Sequence, residues 1–240
     1  MKTLVFGLVL GALAVVAGCK GQPTEHPDET KKPEPAPVVL PHQQDGGKRA
    51  LAVYDELQKK IDAGSDTKTD RRWAYDRILT WDDKTAAYAF ARAALAGRRA
   101  QSQGLSARHY VAEAEKYALE SIERDPNFRD GAARRLLGSL YVLAPPRMVD
   151  HGDSEKGLEM LEEDVAAYPD RPESHLRLAE AYIALGDIEP GLPHLCDALA
   201  SADALGGEDR RLLDKLIIEV GGAEVLGCEP AATPPADASG

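Results

Sequence analysis

No motif of a known catalytic site occurs in these 240 residues. The sequence contains no GxSxG nucleophile elbow, no Walker phosphate loop and no GxGxxG fingerprint. Acidic pairs such as Glu162-Glu163 and Asp82-Asp83 are adjacent in the chain. Adjacent side chains point apart on a helix, so these pairs do not favour a shared acid–base task. We therefore expect a protein that is not an enzyme.

Histidine and cysteine also show no metal-binding pattern. The histidines that lie beyond the proline-rich N-terminal segment form neither HExxH nor HxxxH; they are His109, His151, His175 and His194. Cys196 stands two residues from His194, but a single such spacing without further ligands is a weak signal. The sequence predicts no metal site and no cofactor.

Basic charge is in deficit, with 29 Lys and Arg against 40 Asp and Glu. Binding to nucleic acid requires concentrated basic side chains that displace counterions from phosphate. The densest basic group is spread along one helical stretch as Arg92, Arg98, Arg99 and Arg108. This composition predicts no nucleic-acid partner.

A short apolar run from Leu4 to Val16 follows Lys2 and has the length of a signal-peptide core. Its end, Val16-Ala17-Gly18-Cys19, resembles the lipobox of bacterial lipoproteins. The resemblance implies a signal peptide over residues 1–18 and a lipid on Cys19. Because Lys20 follows the cysteine, we expect an outer-membrane lipoprotein that faces the periplasm. The alternative is an ordinary secretory signal with a chance cysteine.

Two further segments have compositions that cannot form a core. Residues 19–47 are rich in proline and predict a disordered tether behind the lipidated cysteine. Residues 223–240 form a predicted C-terminal tail. Cys196 and Cys228 remain as an even pair in an exported chain, and we predict a disulfide between them. Alternatively, both cysteines are small buried hydrophobic residues.

From residue 48 to residue 222 the apolar spacing is helical throughout. Leu51, Tyr54, Leu57 and Ile61 recur at intervals of three and four, as do Leu212, Leu213, Leu216 and Ile217. No alternating apolar run predicts a strand. The glycine pairs Gly206-Gly207 and Gly221-Gly222 are each predicted to end a helix. The sequence therefore predicts an all-α domain over residues 48–222.

Punctuated breaks between the helices indicate repeats. Residues 171–204 place Leu178-Ala179, Tyr182, Gly191, Leu195 and Ala198 where a tetratricopeptide repeat has its packing residues. Weaker units are predicted over residues 131–169 and 84–126, with a degenerate first pair at 48–63 and 68–80 and a cap at 208–220. The sequence thus resembles a tetratricopeptide-like helical-hairpin solenoid.

The concave face of such an array is lined by the first helix of each pair. The positions that flank each packing pair are Tyr88 and Arg92, then Arg135 and Ser139, then Glu180 and Ile183. We predict a binding groove there, with an exposed Arg92 and Arg135 whose replacement by alanine would cost under about 0.5 kcal/mol. The alternative is a solvated helix surface. An inserted loop with Pro145, Pro146 and Arg147 is a further binding candidate.

Leu137-Gly138-Ser139-Leu140-Tyr141, the Ala144-Pro145-Pro146 insertion and the helix from Leu158 to Pro169 together resemble the T component of periplasmic TRAP transporters. That resemblance implies a membrane-anchored helical protein that associates with a substrate-binding protein. We expect a non-enzymatic scaffold that binds an envelope protein or peptide on its concave face and can form oligomers. The alternative is a transport accessory that holds a small ligand near Arg135 and Arg147.

Overall fold

The computed structural model describes residues 45–103 and 107–228. Cys19, the predicted signal peptide, residues 19–44 of the predicted tether and residues 229–240 lie outside them. The described part contains ten α-helices and no strand, which confirms the all-α class. The helices are α1 (Gly46–Asp62), α2 (Lys68–Ile78), α3 (Ala86–Ala100), α4 (Ala107–Arg124), α5 (Ala132–Leu143), α6 (Ser154–Ala167), α7 (Pro172–Leu185), α8 (Ile188–Ala200), α9 (Gly207–Glu219) and α10 (Ala223–Leu226). None of these helices is long and apolar enough to cross a membrane.

Polar caps explain where several helices begin. The Thr67 hydroxyl accepts a hydrogen bond from the Asp70 amide, while the Asp70 carboxylate accepts one from the Thr67 amide. This reciprocal pair satisfies two amides that lack a partner within α2. Thr85 and Asp153 cap α3 and α6 in the simpler one-bond form. At the other end of α7, Gly186 adopts a left-handed conformation with φ of 85°, which ends the helix as its sequence position predicts.

Consecutive helices pack as pairs, α3 with α4, α5 with α6 and α7 with α8. Small residues permit the close approach between α5 and α6. A Cβ atom at Gly157 would lie 2.7 Å from the carbonyl oxygen of Gly138, so neither position accepts a larger residue without separating the helices. Leu137 and Leu161 are fully buried beside this contact. Small and large residues together thus form the contact between α5 and α6.

The folded region extends beyond both predicted limits. Helix α1 begins at Gly46, two residues before the predicted start of the domain. At the other end, α10 follows residue 222, and its Leu226 is buried against the core. Cys196 of α8 is bonded to Cys228, with Cα atoms 5.4 Å apart, which confirms the predicted disulfide. The bond fastens this end of the chain to the last helix pair, so residues 223–228 are not part of a loose tail.

Candidate binding surfaces

Tyr88 and Arg92, the first predicted binding pair, lie within the helix packing. Tyr88 is only 2% exposed, and its hydroxyl donates to the Trp81 carbonyl oxygen at 2.8 Å. Arg92 donates through Nε to Glu113 of α4 at 2.7 Å, and its guanidinium lies 4.0 Å from the centre of the Tyr117 ring. Charge pairing and the cation–π contact both hold Arg92 against α4. The expectation that these side chains project freely is therefore wrong.

Arg135 is also held inside the fold. Its Nη1 donates to Asp164 of α6 at 3.2 Å and lies 3.4 Å from the Ser174 hydroxyl of α7. The Ser174 hydroxyl donates to the same carboxylate at 2.8 Å. Burial raises the pKa of Asp164, while Arg135 and Ser174 lower it. Since Asp164 has no exposed surface, Arg135 supplies the positive charge that a buried carboxylate requires. The predicted exposure of Arg135 is wrong for this reason.

The guanidinium of Arg135 also stabilises a left-handed turn that precedes α5. Three consecutive residues, Arg129, Asp130 and Gly131, have positive φ values of 49°, 52° and 76°. Such a conformation is unfavourable for the two residues that carry side chains, at roughly 1 to 3 kcal/mol each. Arg135 donates to the carbonyl oxygens of both Arg129 and Asp130, and Arg129 forms a two-bond pair with Asp55 of α1. Arg135 thus joins this turn to α6 and α7.

The remaining predicted positions on the first helices are partly or fully covered. Ser139 is half-buried on α5, and Ile183 is buried on α7. Glu180 accepts a hydrogen bond from Arg177 at 2.9 Å, one turn earlier on the same helix. The structure therefore does not assemble these residues into one open groove with Arg92 and Arg135.

Helix α9 contacts α1, α3 and α7 through hydrogen bonds and ion pairs. Arg98 of α3 forms a two-bond ion pair with Glu208 of α9, one bond of which measures 2.6 Å. Gln58 of α1 also donates to Glu208, at 3.4 Å. Arg177 of α7 pairs with Asp209, the next residue of α9. We call these five residues the α9 cluster. It links α1, α3, α7 and α9.

Two glycines permit the approach of α9 to α1. Glu208 donates its amide to Asp62 at 3.1 Å, and Arg211 donates to the Asp62 carbonyl oxygen at 2.9 Å. A Cβ atom at Gly207 would overlap that same oxygen, and one at Gly206 would lie 2.9 Å from the Asp62 carboxylate. Gly206 and Gly207 therefore begin α9 at a close contact, and the prediction that they end a helix is wrong. Gly221 and Gly222, with φ of 110° and 96°, follow the end of α9, as predicted.

The α9 cluster should weaken in acid. Burial alone would raise the pKa of Glu208, but hydrogen bonds and charge from Arg98, with a further bond from Gln58, lower it below its ordinary 4.5. A depressed carboxylate pKa adds stability above the ordinary value, and this stability is lost as the pH falls through the depressed one. We expect Glu208→Gln to lower the melting temperature at pH 7, and to lower it by progressively less as the pH falls below 4.5. A loss of the same size at every pH would contradict this role for the charge.

The inserted loop has an anchored base and an exposed tip. Pro145, Pro146 and Arg147 are exposed at the tip, and the last two lie in a short 3-10 turn, Pro146–Met148. Val149 is buried against the core of α4 and α5. The amides of Asp150 and His151 donate to the buried Glu115 carboxylate at 2.9 and 2.7 Å. The loop base thus has a structural role that its sequence did not reveal, while its tip remains available for binding.

An outward face of α2 forms a surface that the sequence analysis did not identify. Thr69, Arg72, Trp73, Asp76 and Arg77 line a shallow cleft of about 340 Å³. Trp73 is 52% exposed and also borders a second, smaller cleft between α1 and α2. We call this surface the Trp73 face. Exposed tryptophan beside arginine is typical of residues that dominate binding energy at protein interfaces. The helical spacing of these five residues was the available signal.

Tertiary packing also brings together residues that sequence spacing kept apart. His175 of α7 lies with its Nδ1 atom 3.0 Å from Nδ1 of His194 on α8. The same His175 atom is 3.3 Å from the Asp197 carboxylate, one turn beyond His194. His194 and Asp197 share one face of α8 at the i, i+3 spacing, which was the part of the pattern visible in the sequence. The third member, His175, joins only through the packing of α7 on α8.

Neither the comparison with protein-family models nor that with curated proteins found a match to this chain.

Proposed function

We propose that this chain is a membrane-anchored, non-enzymatic adaptor whose tetratricopeptide-like array binds a partner protein in the cell envelope. The lipobox-like Val16-Ala17-Gly18-Cys19 supports attachment through Cys19 in the outer membrane, facing the periplasm. The observation that supports binding most directly is the Trp73 face, where a large aromatic side chain remains half exposed. The partner-binding surface proposed here is thus on α2 and not on the first helices of the later pairs.

Helix packing supports the repeat assignment. Helices α3 to α8 pack as three successive pairs, and small residues lie at the contact within each of the last two. In a tetratricopeptide array such pairs stack so that each buries the apolar side of its neighbour. A rigid array of this kind presents side chains from its outer surfaces in fixed positions. That rigidity suits a protein that binds without carrying out chemistry.

The charges of the Trp73 face favour an acidic partner segment. Arg72, Asp76 and Arg77 are exposed on this face and together carry a net positive charge. Two nearby charges of the helix are already paired within the protein, Asp70 with Lys60 and Arg71 with Asp66. These exposed arginines contrast with the net charge of −11 on the whole chain. An acidic segment with an apolar side chain would meet both arginine and tryptophan here.

The structure offers less support for the transport-accessory alternative. That hypothesis places a small ligand near Arg135 and Arg147. Arg135 is already bound to Asp164 and lies near Ser174, and Arg147 is exposed at the tip of the inserted loop. A ligand near Arg135 would have to displace a buried ion pair. We therefore retain the adaptor as the function proposed.

Photo-crosslinking in intact cells tests this surface. A photoreactive residue in place of Arg72 is expected to form a discrete adduct with one protein. Adding Trp73→Ala should reduce the yield of that adduct by about tenfold or more, which is the effect expected when a residue that dominates an interface is replaced by alanine. Because Trp73 is half exposed, this change should leave the melting temperature almost unchanged. The measurement is the adduct yield on a denaturing gel.

Lys116, an exposed residue of α4, provides the matched position for the same photoreactive residue. A discrete adduct from position 116 that forms equally well with Trp73→Ala would place the partner elsewhere. Crosslinking of position 72 to lipid alone would show that the Trp73 face meets the membrane. Either result would contradict the proposed binding surface.

A further inference from the structure

Three side chains with metal-binding atoms converge between α7 and α8. One ring nitrogen of His175, one ring nitrogen of His194 and a carboxylate oxygen of Asp197 all lie within 4.8 Å of one another. Two of the three separations are 3.0 and 3.3 Å, both measured from His175. Ligand atoms bound to one zinc ion in a tetrahedral arrangement are about 3.4 Å apart. These two separations are thus already close to the spacing that a single ion would impose.

Hydrogen bonding determines which atom of His175 is available. Its Nε2 lies 2.7 Å from the carbonyl oxygen of Pro169. A carbonyl oxygen can only accept, so Nε2 carries the proton and donates it. In the neutral ring the lone pair is then on Nδ1, which points toward His194 and Asp197. A backbone carbonyl that orients the far nitrogen in this way is the usual second contact of a metal-binding histidine.

With His175 neutral, the three side chains therefore present more hydrogen-bond acceptor atoms to one another than N–H groups to donate to them. A single N–H from His194 can reach the His175 lone pair, but it leaves the Asp197 oxygen facing that same lone pair. Tyr182 lies nearly parallel to the His194 ring, at an angle of 4°, and holds its orientation.

We propose that His175, His194 and Asp197 bind one divalent transition-metal ion of the zinc class. Imidazole nitrogen and carboxylate oxygen are suitable ligands for such an ion, and three protein ligands leave a fourth position for water. His175 is buried, whereas Asp197 is exposed, so the site opens to solvent on one side. The bound ion would fasten α7 to α8 next to the Cys196–Cys228 bond.

Calorimetry with Zn²⁺ tests the site on the chain as the cell produces it, with its disulfide intact. We expect one saturable site per chain and a rise in melting temperature on binding. His194→Gln and, separately, Asp197→Asn should each weaken Zn²⁺ binding by roughly 100-fold or more. Replacing residues that only hydrogen-bond to a metal ligand already lowers metal affinity by about 10- to 100-fold, and these two residues would be ligands themselves. Co²⁺ should give visible absorption bands that both variants lose.

His109→Gln provides the matched control, because His109 is exposed on α4 and also lies near a carboxylate, Glu113. This variant should bind Zn²⁺ as the unchanged chain does. Equal Zn²⁺ affinity in the unchanged chain, His194→Gln and Asp197→Asn would overturn the proposal. So would the absence of saturable binding in the unchanged chain, which would mean that the cluster holds only a proton. Asp197 is exposed, so a failure to fold should not obscure the result for Asp197→Asn.

Discussion

Replacing Arg135 with alanine is expected to lower the free energy of unfolding by about 3 to 5 kcal/mol, the usual effect of leaving a buried charge without its partner. Asp164 is completely buried, and Arg135 is the arginine bound to it. The same change removes the donor that holds the carbonyl oxygens of Arg129 and Asp130 in their left-handed turn. Denaturant unfolding at pH 7 measures this loss.

The pH dependence of the variant gives a second test. Without Arg135, the folded state should hold a proton on Asp164 more tightly than the unfolded state does, because burial already raises the pKa of this carboxyl. The folded state is then favoured as the pH falls through the raised pKa toward the ordinary value of 3.8. We therefore expect the destabilisation to shrink between pH 7 and pH 4. Asp164→Asn in the Arg135→Ala background should recover part of the stability at pH 7.

Arg108→Ala is the matched control for these measurements. Arg108 is exposed and lies 4.0 Å from the exposed carboxylate of Asp150. Exposed pairs of this kind contribute about 1 kcal/mol at most, so the change should be nearly neutral. A loss below about 1 kcal/mol for Arg135→Ala, or a loss that does not depend on pH, would contradict a structural role for the buried pair.

The parts of the fold that could be predicted from the sequence depend on local pattern. Apolar residues at intervals of three and four define α1 and α9 without reference to any partner. Gly138 and Gly157 could be assigned to a helix contact because small residues at repeat positions have that role. Cys196 and Cys228 were the two cysteines left after the predicted lipid site, and pairing them required only counting.

The binding residues were harder to predict because helix periodicity gives a direction but not a partner. Arg92 and Arg135 do occupy the helical positions that the pattern assigned to them. Their exposure depends on Glu113 and Asp164, which belong to other helices and come close only after packing. A charged residue at an outward position on an isolated helix is therefore not necessarily exposed in the folded chain.

Contacts between residues far apart in the chain explain why the other clusters were not predicted from the sequence. Glu208 meets Arg98, which is 110 residues away, and Gln58, which is 150 residues away, so no local pattern relates them. The same holds for His175, which joins His194 and Asp197 across the turn between two helices. Trp73 is different, because its exposure follows from the face of α2 on which it lies. The helical spacing of its residues, between positions 69 and 77, places them on one side of α2, so this surface could be predicted from the sequence.

Loss of the Cys196–Cys228 disulfide is expected to cost about 3 to 4 kcal/mol of unfolding free energy. The two cysteines are 32 residues apart in sequence, and a cross-link across such a loop restricts the unfolded chain by roughly this amount. The residues it encloses include the end of α8, all of α9 and α10. Hydrogen exchange should show the earliest loosening in α10, a four-residue helix whose one buried side chain is Leu226.

Two ways of removing the bond separate the cross-link from the packing of its sulfur atoms. Chemical reduction keeps both side chains, whereas the double variant Cys196→Ser, Cys228→Ser replaces them. If the cross-link itself provides the stability, both preparations should unfold with the same denaturant midpoint, well below that of the oxidised chain. A reduced chain that keeps the oxidised midpoint would show that the bond contributes little. A loss seen only in the serine variant would assign the effect to the packing of Cys196, which is partly buried against α9 and α10.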